Sequence, residues 1–162
     1  MSYQIHIAIA EAAITKRGDK IMEITNNAIQ QLAFKQYVIF TDTVVPGNPA
    51  IMHRSGSGLV KLRGLTNCQC RARFKVFFSA NVAIPEDGDA PDAIVLAITI
   101  DGEPITVTRM GAVPADVNNY FNVSTSTYID VPAGCCSTIG VINAEGATAN
   151  VANANLIVER VA

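Results

Sequence analysis

Between Cys68 and Ile84 the chain alternates with a period of two. Cys70, Ala72, Phe74, Val76, Phe78, Ala80 and Val82 share one side of this stretch. Gln69, Arg71, Arg73, Lys75, Phe77, Ser79 and Asn81 share the other. Successive side chains of a strand point to opposite faces. The stretch therefore reads as one long strand with a buried face and a face in a different environment. A long strand of this kind needs paired neighbours and a second layer over its apolar side, so it constrains everything else in the chain.

The rest of the chain supplies candidates for those neighbours. Ile5, Ile7 and Ile9 alternate with His6, Ala8 and Ala10, and Lys16 to Lys20 reads as a turn around Gly18. Strands are expected over Ile21 to Thr25, Tyr37 to Val45, Ile51 to Arg54 and Leu59 to Arg63. Ala28 to Phe34 fits either one helical turn or a strand. Ala93 to Ile100 is almost wholly apolar and suits a central strand. Asp101-Gly102 is a hairpin signal, with Glu103 to Met110 returning from it. Asn119 to Val131 alternates again, setting Phe121, Val123, Ile129 and Val131 against Tyr120, Asn122, Ser124, Ser126, Tyr128 and Asp130. Cys136 to Ile142, Thr148 to Ala152 and Leu156 to Val161 complete the set as three separate strands. About ten short strands separated by turns predict an all-β sandwich or barrel.

Composition narrows the class. Charged residues are 16% of the chain and hydrophobic ones 49%, at a net charge of −2. A chain so sparing with charge leaves surface that is better covered by a partner than by water. The negative balance argues against nucleic acid and anionic membranes as partners. No apolar run approaches the roughly 20 residues of a membrane helix. At the start of the chain the apolar stretch precedes the positive charges, the wrong order for a secretory signal.

From Cys70 onward the order of features resembles a known family. The long strand Arg71-Ala72-Arg73-Phe74-Lys75-Val76-Phe77-Phe78 precedes the hairpin Ile98-Thr99-Ile100-Asp101-Gly102-Glu103. A polar strand follows, ending in Ser126-Thr127-Tyr128-Ile129-Asp130-Val131-Pro132-Ala133-Gly134, and the chain closes with Asn153-Ala154-Asn155-Leu156-Ile157-Val158-Glu159-Arg160-Val161. This is similar to the tumour-necrosis-factor and complement-globular-head jelly rolls, and looks closest to small phage and prophage structural proteins of Gram-positive bacteria. The resemblance implies a ten-strand jelly-roll sandwich forming a homotrimer, with a structural or binding role and no catalysis. The chain lacks the collagen-like stalk that often precedes such heads. Residues 1–50 pattern less cleanly than the rest and are expected to form an N-terminal arm or anchoring region, partly strand. Residues 51–162 are expected to form the jelly-roll domain.

Tests for chemistry find no catalytic constellation. His6 and His53 lack partners at ligand or triad spacing, and two histidines are too few for a cupin metal site. Gly56-Ser57-Gly58 is not a nucleophile elbow. An EF-hand loop begun at Asp87 would need glutamate where Ile98 stands, so the run Glu86 to Asp92 reads as a solvated turn. Asn122-Val123-Ser124 matches a glycosylation acceptor by chance. No cofactor or metal is expected. Cys68, Cys70, Cys135 and Cys136 have the wrong spacing for a structural zinc site. A disulfide joining the two regions and free core thiols both remain open, with the balance on core thiols.

Arg71, Arg73 and Lys75 form a basic stripe with only Phe77 as an aromatic on the same face, a weak footprint for nucleic acid. The favoured reading is a subunit interface. In the resembled fold the closing strand lies beside the long strand, which would let Glu159 meet Arg71 or Arg73. Phe77, Tyr120, Tyr128 and Ile157 would share that side, a mixture typical of protein interfaces. Taken with the missing chemistry, the low charge and the poorly patterned N-terminal region, the resemblance implies a non-enzymatic virion protein: a trimer that decorates or stabilises a phage capsid or forms a head fibre. Its partners would be copies of itself and capsid or other virion proteins, and it would reach the virion after assembly in the bacterial cytoplasm. The alternative is a receptor- or carbohydrate-binding head on a phage tail or bacterial surface, with a glycan as ligand.

Overall fold

A computed structural model of the chain describes residues 20–66 and 70–162. These form twelve strands, β1 (Ile21–Asn26), β2 (Gln30–Leu32), β3 (Asp42–Val45), β4 (Ile51–His53), β5 (Val60–Arg63), β6 (Arg71–Ala83), β7 (Ile94–Ile100), β8 (Glu103–Pro104), β9 (Met110–Ala112), β10 (Phe121–Pro132), β11 (Cys136–Asn143) and β12 (Ala149–Arg160), and one 3-10 turn at Thr106–Thr108. The strands make two antiparallel six-stranded sheets. One runs β10-β6-β12-β1-β3, with β2 also on β12. The other runs β4-β5-β11-β7-β8, with β9 also on β7. This is an all-β sandwich of jelly-roll type. Among the described residues no helix is long and apolar enough to cross a membrane.

The period-two pattern of β6 is realised residue by residue. Ala72, Phe74, Val76, Phe78, Ala80 and Val82 are all buried. Met22 and Ile24 of β1, Leu156 and Val158 of β12, and Ile129 and Val131 of β10 extend the same apolar layer. Ile51, Val60, Leu62, Ile94, Leu96, Ile98, Ile139 and Val141 face it from the second sheet. Fully burying one such large side chain stabilises by about 1.5–3 kcal/mol, so this shared core holds the sheets together. Asp101 and Gly102 both take positive φ, 49° and 87°, as a two-residue hairpin of matching twist requires. Asp101 also pins the hairpin to β11: its N–H donates to the Thr138 carbonyl at 2.7 Å, and its carboxylate accepts from the Thr138 N–H at 2.9 Å.

Three sequence expectations are corrected. The arm expected over residues 1–50 does not extend over 21–50. β1 lies inside a sheet between β12 and β3, and Met22, Ile24, Leu32, Val38 and Phe40 are buried. Phe40 sits edge-on to Phe78, at 6.4 Å and 82°, so this region is part of the core and the division at residue 50 does not hold. The strand expected from Tyr37 to Val45 is regular only in β3. Val38 instead donates to the Val141 carbonyl at 2.8 Å, and the segment crosses from one sheet to the other. Thr148 to Ala152 and Leu156 to Val161 are one strand, β12, with a bulge between Ala152 and Asn155. Asn153 takes φ 53° there; the extra residue bends the strand without ending it. The strand expected around Ile5, Ile7 and Ile9, the turn at Gly18 and His6 lie outside the described residues.

Candidate interaction face

β10, β6, β12 and β1 present one broad outer face. The pairing registers align their outward side chains in rows across the sheet. One row is Tyr128, Lys75, Glu159, Ile21. The next is Ser126, Phe77, Ile157, Glu23, and the one after is Ser124, Ser79, Asn155, Thr25. Charge, apolar surface and hydroxyl–amide groups thus follow one another along the strands. An open depression of about 270 Å³ lies among Lys75, Phe77, Ser126, Ile157 and Glu159.

At the charged end, Arg73 grips Asp130 with two parallel hydrogen bonds, Nε at 2.8 Å and an Nη at 3.0 Å. Arg71 Nε lies 3.5 Å from the same carboxylate. The hydrogen bond from Arg73 holds the Asp130 carboxyl below the ordinary carboxylate range, assisted by the Arg71 charge and opposed by desolvation. The same bond raises Arg73. Both groups are solvent-accessible, so the pair adds little to monomer stability. Its geometric effect is larger: a two-pronged guanidinium–carboxylate contact orders both side chains in advance of any partner. Tyr128 is 63% exposed and carries its ring two residues from this pair along β10.

At the other end the face is paved with amides. Asn122 donates to Ser79 Oγ at 3.3 Å and to Asn81 Oδ1 at 3.2 Å, and Asn81 donates to Asn153 Oδ1 at 3.2 Å. The Asn153 bulge of β12 brings that third amide into line.

The structure brings Arg71, Arg73, Phe77, Tyr128, Ile157 and Glu159 onto this one face. Tyr120 is not among them at close range: it precedes β10, whose first pair is Phe121 with Val82, and so stands at the end opposite Arg73. The acid that meets the arginines is Asp130, and Glu159 is in register with Lys75. Asp130 already stood in the outward set of its alternating strand. Its register against β6 was not readable, because no hairpin joins the two strands.

Three of the four cysteines are free, as the balance of expectation had it, but lie on the surface and not in the core. Cys70, Cys135 and Cys136 are exposed and unbridged, while Cys68 lies outside the described residues. The two cysteine regions do meet at one end of the sandwich: Ala133 donates to the Cys70 carbonyl and Gly64 to the Cys135 carbonyl, each at 2.9 Å. His53 Nε2 donates to the Ser57 carbonyl at 2.9 Å, a structural bond. Among the described residues no group of three or more His, Cys, Asp or Glu side chains gathers where it could hold a metal ion.

Solved structures share this fold. The globular domain of a zebrafish complement 1qA protein is 13% identical at TM-score 0.54, over 86% of this chain and 94% of that one. The Eiger TNF of S. frugiperda is 9% identical at TM-score 0.63, over 88% and 92%. Murine APRIL is 11% identical at TM-score 0.59, over 86% and 98%. No protein-family model and no curated protein sequence matches the chain.

Proposed function

We propose that this chain is a non-enzymatic structural protein of a phage virion. It assembles as a homotrimer through the outer face of β10, β6, β12 and β1, and it decorates or stabilises the capsid or forms a head fibre. The observation that carries this reading is that face. Tyr128, Phe77 and Ile157 stand on one face of the sheet beside the Arg73–Asp130 pair. Half-exposed apolar groups beside a pre-ordered charge pair suit a protein partner better than water. The jelly-roll fold supports the same assembly, and the resemblance to phage and prophage proteins supports the setting. The protein would be assembled in the bacterial cytoplasm and carried on the virion, with residues 1–19 as the segment that attaches it to the shell.

Light scattering behind a sizing column tests the assembly, with a mass near three chains expected. A clean monomer at micromolar concentration overturns it. Attachment is tested with a chain lacking residues 1–19, which retains β1 and every described core residue. That form should still assemble and should fail to bind purified particles; binding at full strength refutes the anchoring role.

A further inference from the structure

A second depression, about 350 Å³, lies where the segment after β2 meets the Asp101-Gly102 hairpin and the end of β11. Its wall includes Phe34, Lys35, Tyr37, Glu103, Pro104 and Arg109. None of these belongs to the interaction face. The volume is at the lower end of the roughly 300–1,000 Å³ of small-molecule sites, enough for one sugar ring.

The wall is held rigidly. Lys35 donates its backbone N–H to the Asn143 carbonyl at 2.9 Å, and Asn143 donates its own to the Gln36 carbonyl at 3.1 Å. The Gln36 side chain closes the turn by accepting from the Ala33 N–H at 2.8 Å. Asn143 is fully buried, and its amide ties Leu32 to Ala147 at 3.0 and 2.7 Å. The Tyr37 ring is wedged against Gly140, where a Cβ would come within 2.6 Å of it. Binding here would therefore cost little ordering entropy.

Two features of this rigid wall are unfavourable without a ligand. Phe34 is 50% exposed. Lys35 takes φ 69°, a left-handed backbone that glycine or asparagine would adopt with less strain. Backbone strain of this kind collects at ligand clamps. The conformation lifts the lysine ammonium over the Phe34 ring, 5.4 Å from its centre. Arg109 is fixed by Glu145, and Glu103 also lines the depression, with no ion pair to another described residue.

We propose that this depression binds an acidic monosaccharide unit, of the uronic or sialic acid class. The Phe34 and Tyr37 rings offer a platform for the C–H face of a pyranose. Glu103 and Arg109 accept from and donate to ring hydroxyls, and Lys35 receives the sugar carboxylate as a charge-assisted bond. This goes beyond the structural role proposed above and does not depend on it, since every wall residue comes from one chain.

The test is ligand-detected and amide NMR on the full chain. The probes are the methyl glycoside of glucuronic acid, N-acetylneuraminic acid, and methyl glucoside as the neutral control. One of the two acids should bind and shift the amides of Phe34, Lys35 and Tyr37, with the neutral sugar at least tenfold weaker. Lys35→Gly should weaken the acid at least tenfold while the unfolding midpoint stays within about 3 °C, because relief of the left-handed strain offsets the added chain entropy. Phe34→Ala should abolish binding. Absence of binding by both acids, equal binding of the neutral sugar, or unchanged affinity in Lys35→Gly would each overturn the proposal.

Discussion

Replacing Asn143 by alanine should be among the most damaging single changes in this chain. Asn143 is fully buried in the last position of β11. Its side chain donates to the carbonyls of Leu32 and Ala147 and accepts from the Glu145 N–H at 3.2 Å. Alanine orphans all three backbone groups. The bond to Leu32 is buried, and an unsatisfied group of that kind costs about 1–3 kcal/mol. The other two bonds are partly accessible, so water recovers part of their loss and each costs about 0.5–1.5 kcal/mol. The sum is about 4 kcal/mol, a large share of the roughly 5–15 kcal/mol that holds a domain folded. With a urea slope of about 2 kcal/mol per molar, the unfolding midpoint should fall by about 2 M. The chain has no tryptophan, so far-UV circular dichroism is the suitable probe. A fall of less than about 0.5 M would refute the accounting and with it the rigidity claimed for residues 33–37. Asn143→Asp gives a second reading. A carboxylate there would face two carbonyls away from water, so its folded pKa would rise above the unfolded value near 3.9. That variant should be least impaired in acid and lose stability as pH climbs through the raised pKa. A pH-independent deficit would count against the same geometry.

Further outcomes test other parts of the structure. Arg73→Ala and Tyr128→Ala should each shift the mass in light scattering towards one chain while monomer melting moves by no more than about 2 °C, as for exposed groups; an unchanged trimer removes them from the interface. Asp130 has a depressed folded pKa, so its pairing contributes above the unfolded value near 3.9 and is lost as pH falls through the folded value. The advantage of wild type over Asp130→Asn, read from thermal unfolding at low salt, should therefore be constant from pH 8 to 5 and shrink below about pH 4. Gly64→Ala would put a Cβ 2.1 Å from the Pro132 carbonyl oxygen and disturb the backbone bonds from Gly64 to Cys135 and from Gly134 to Gly64. A loss of roughly 3 kcal/mol is expected in urea unfolding, and a loss under 1 kcal/mol would contradict the close approach.

Much of the fold was legible because strand side chains alternate locally. The buried and exposed sets of β6 follow the sequence residue by residue, and the outward placement of Tyr128, Asp130, Ile157 and Glu159 follows the same rule. The Asp101-Gly102 hairpin was readable because two positive-φ positions in succession favour few residue types. Partners across strands were harder. Asp130 rather than Glu159 meets Arg73 because β10 pairs with β6 in a register that no short turn dictates. The continuity of β12 was hidden because Asn153 in a left-handed conformation reads as a break and acts as a bulge. The depression at Phe34 and Tyr37 was missed altogether. Phe34 ends a segment that fits either a helical turn or a strand, Tyr37 opens the next expected strand, and the opposite wall comes from residues far along the chain.

The sequence by itself determined the fold class, the long central strand, the content of its two faces and the scarcity of surface charge. Each follows from residue type and a period of two, which act over a few neighbouring residues. Only the tertiary structure decided that residues 21–50 belong to the sandwich, that the exposed cysteine segments share one end, and which charge lies opposite which. Those outcomes depend on how two sheets settle their buried faces against each other. Close packing has one good solution for the whole set of core side chains, and it positions outward residues that have no local pattern linking them.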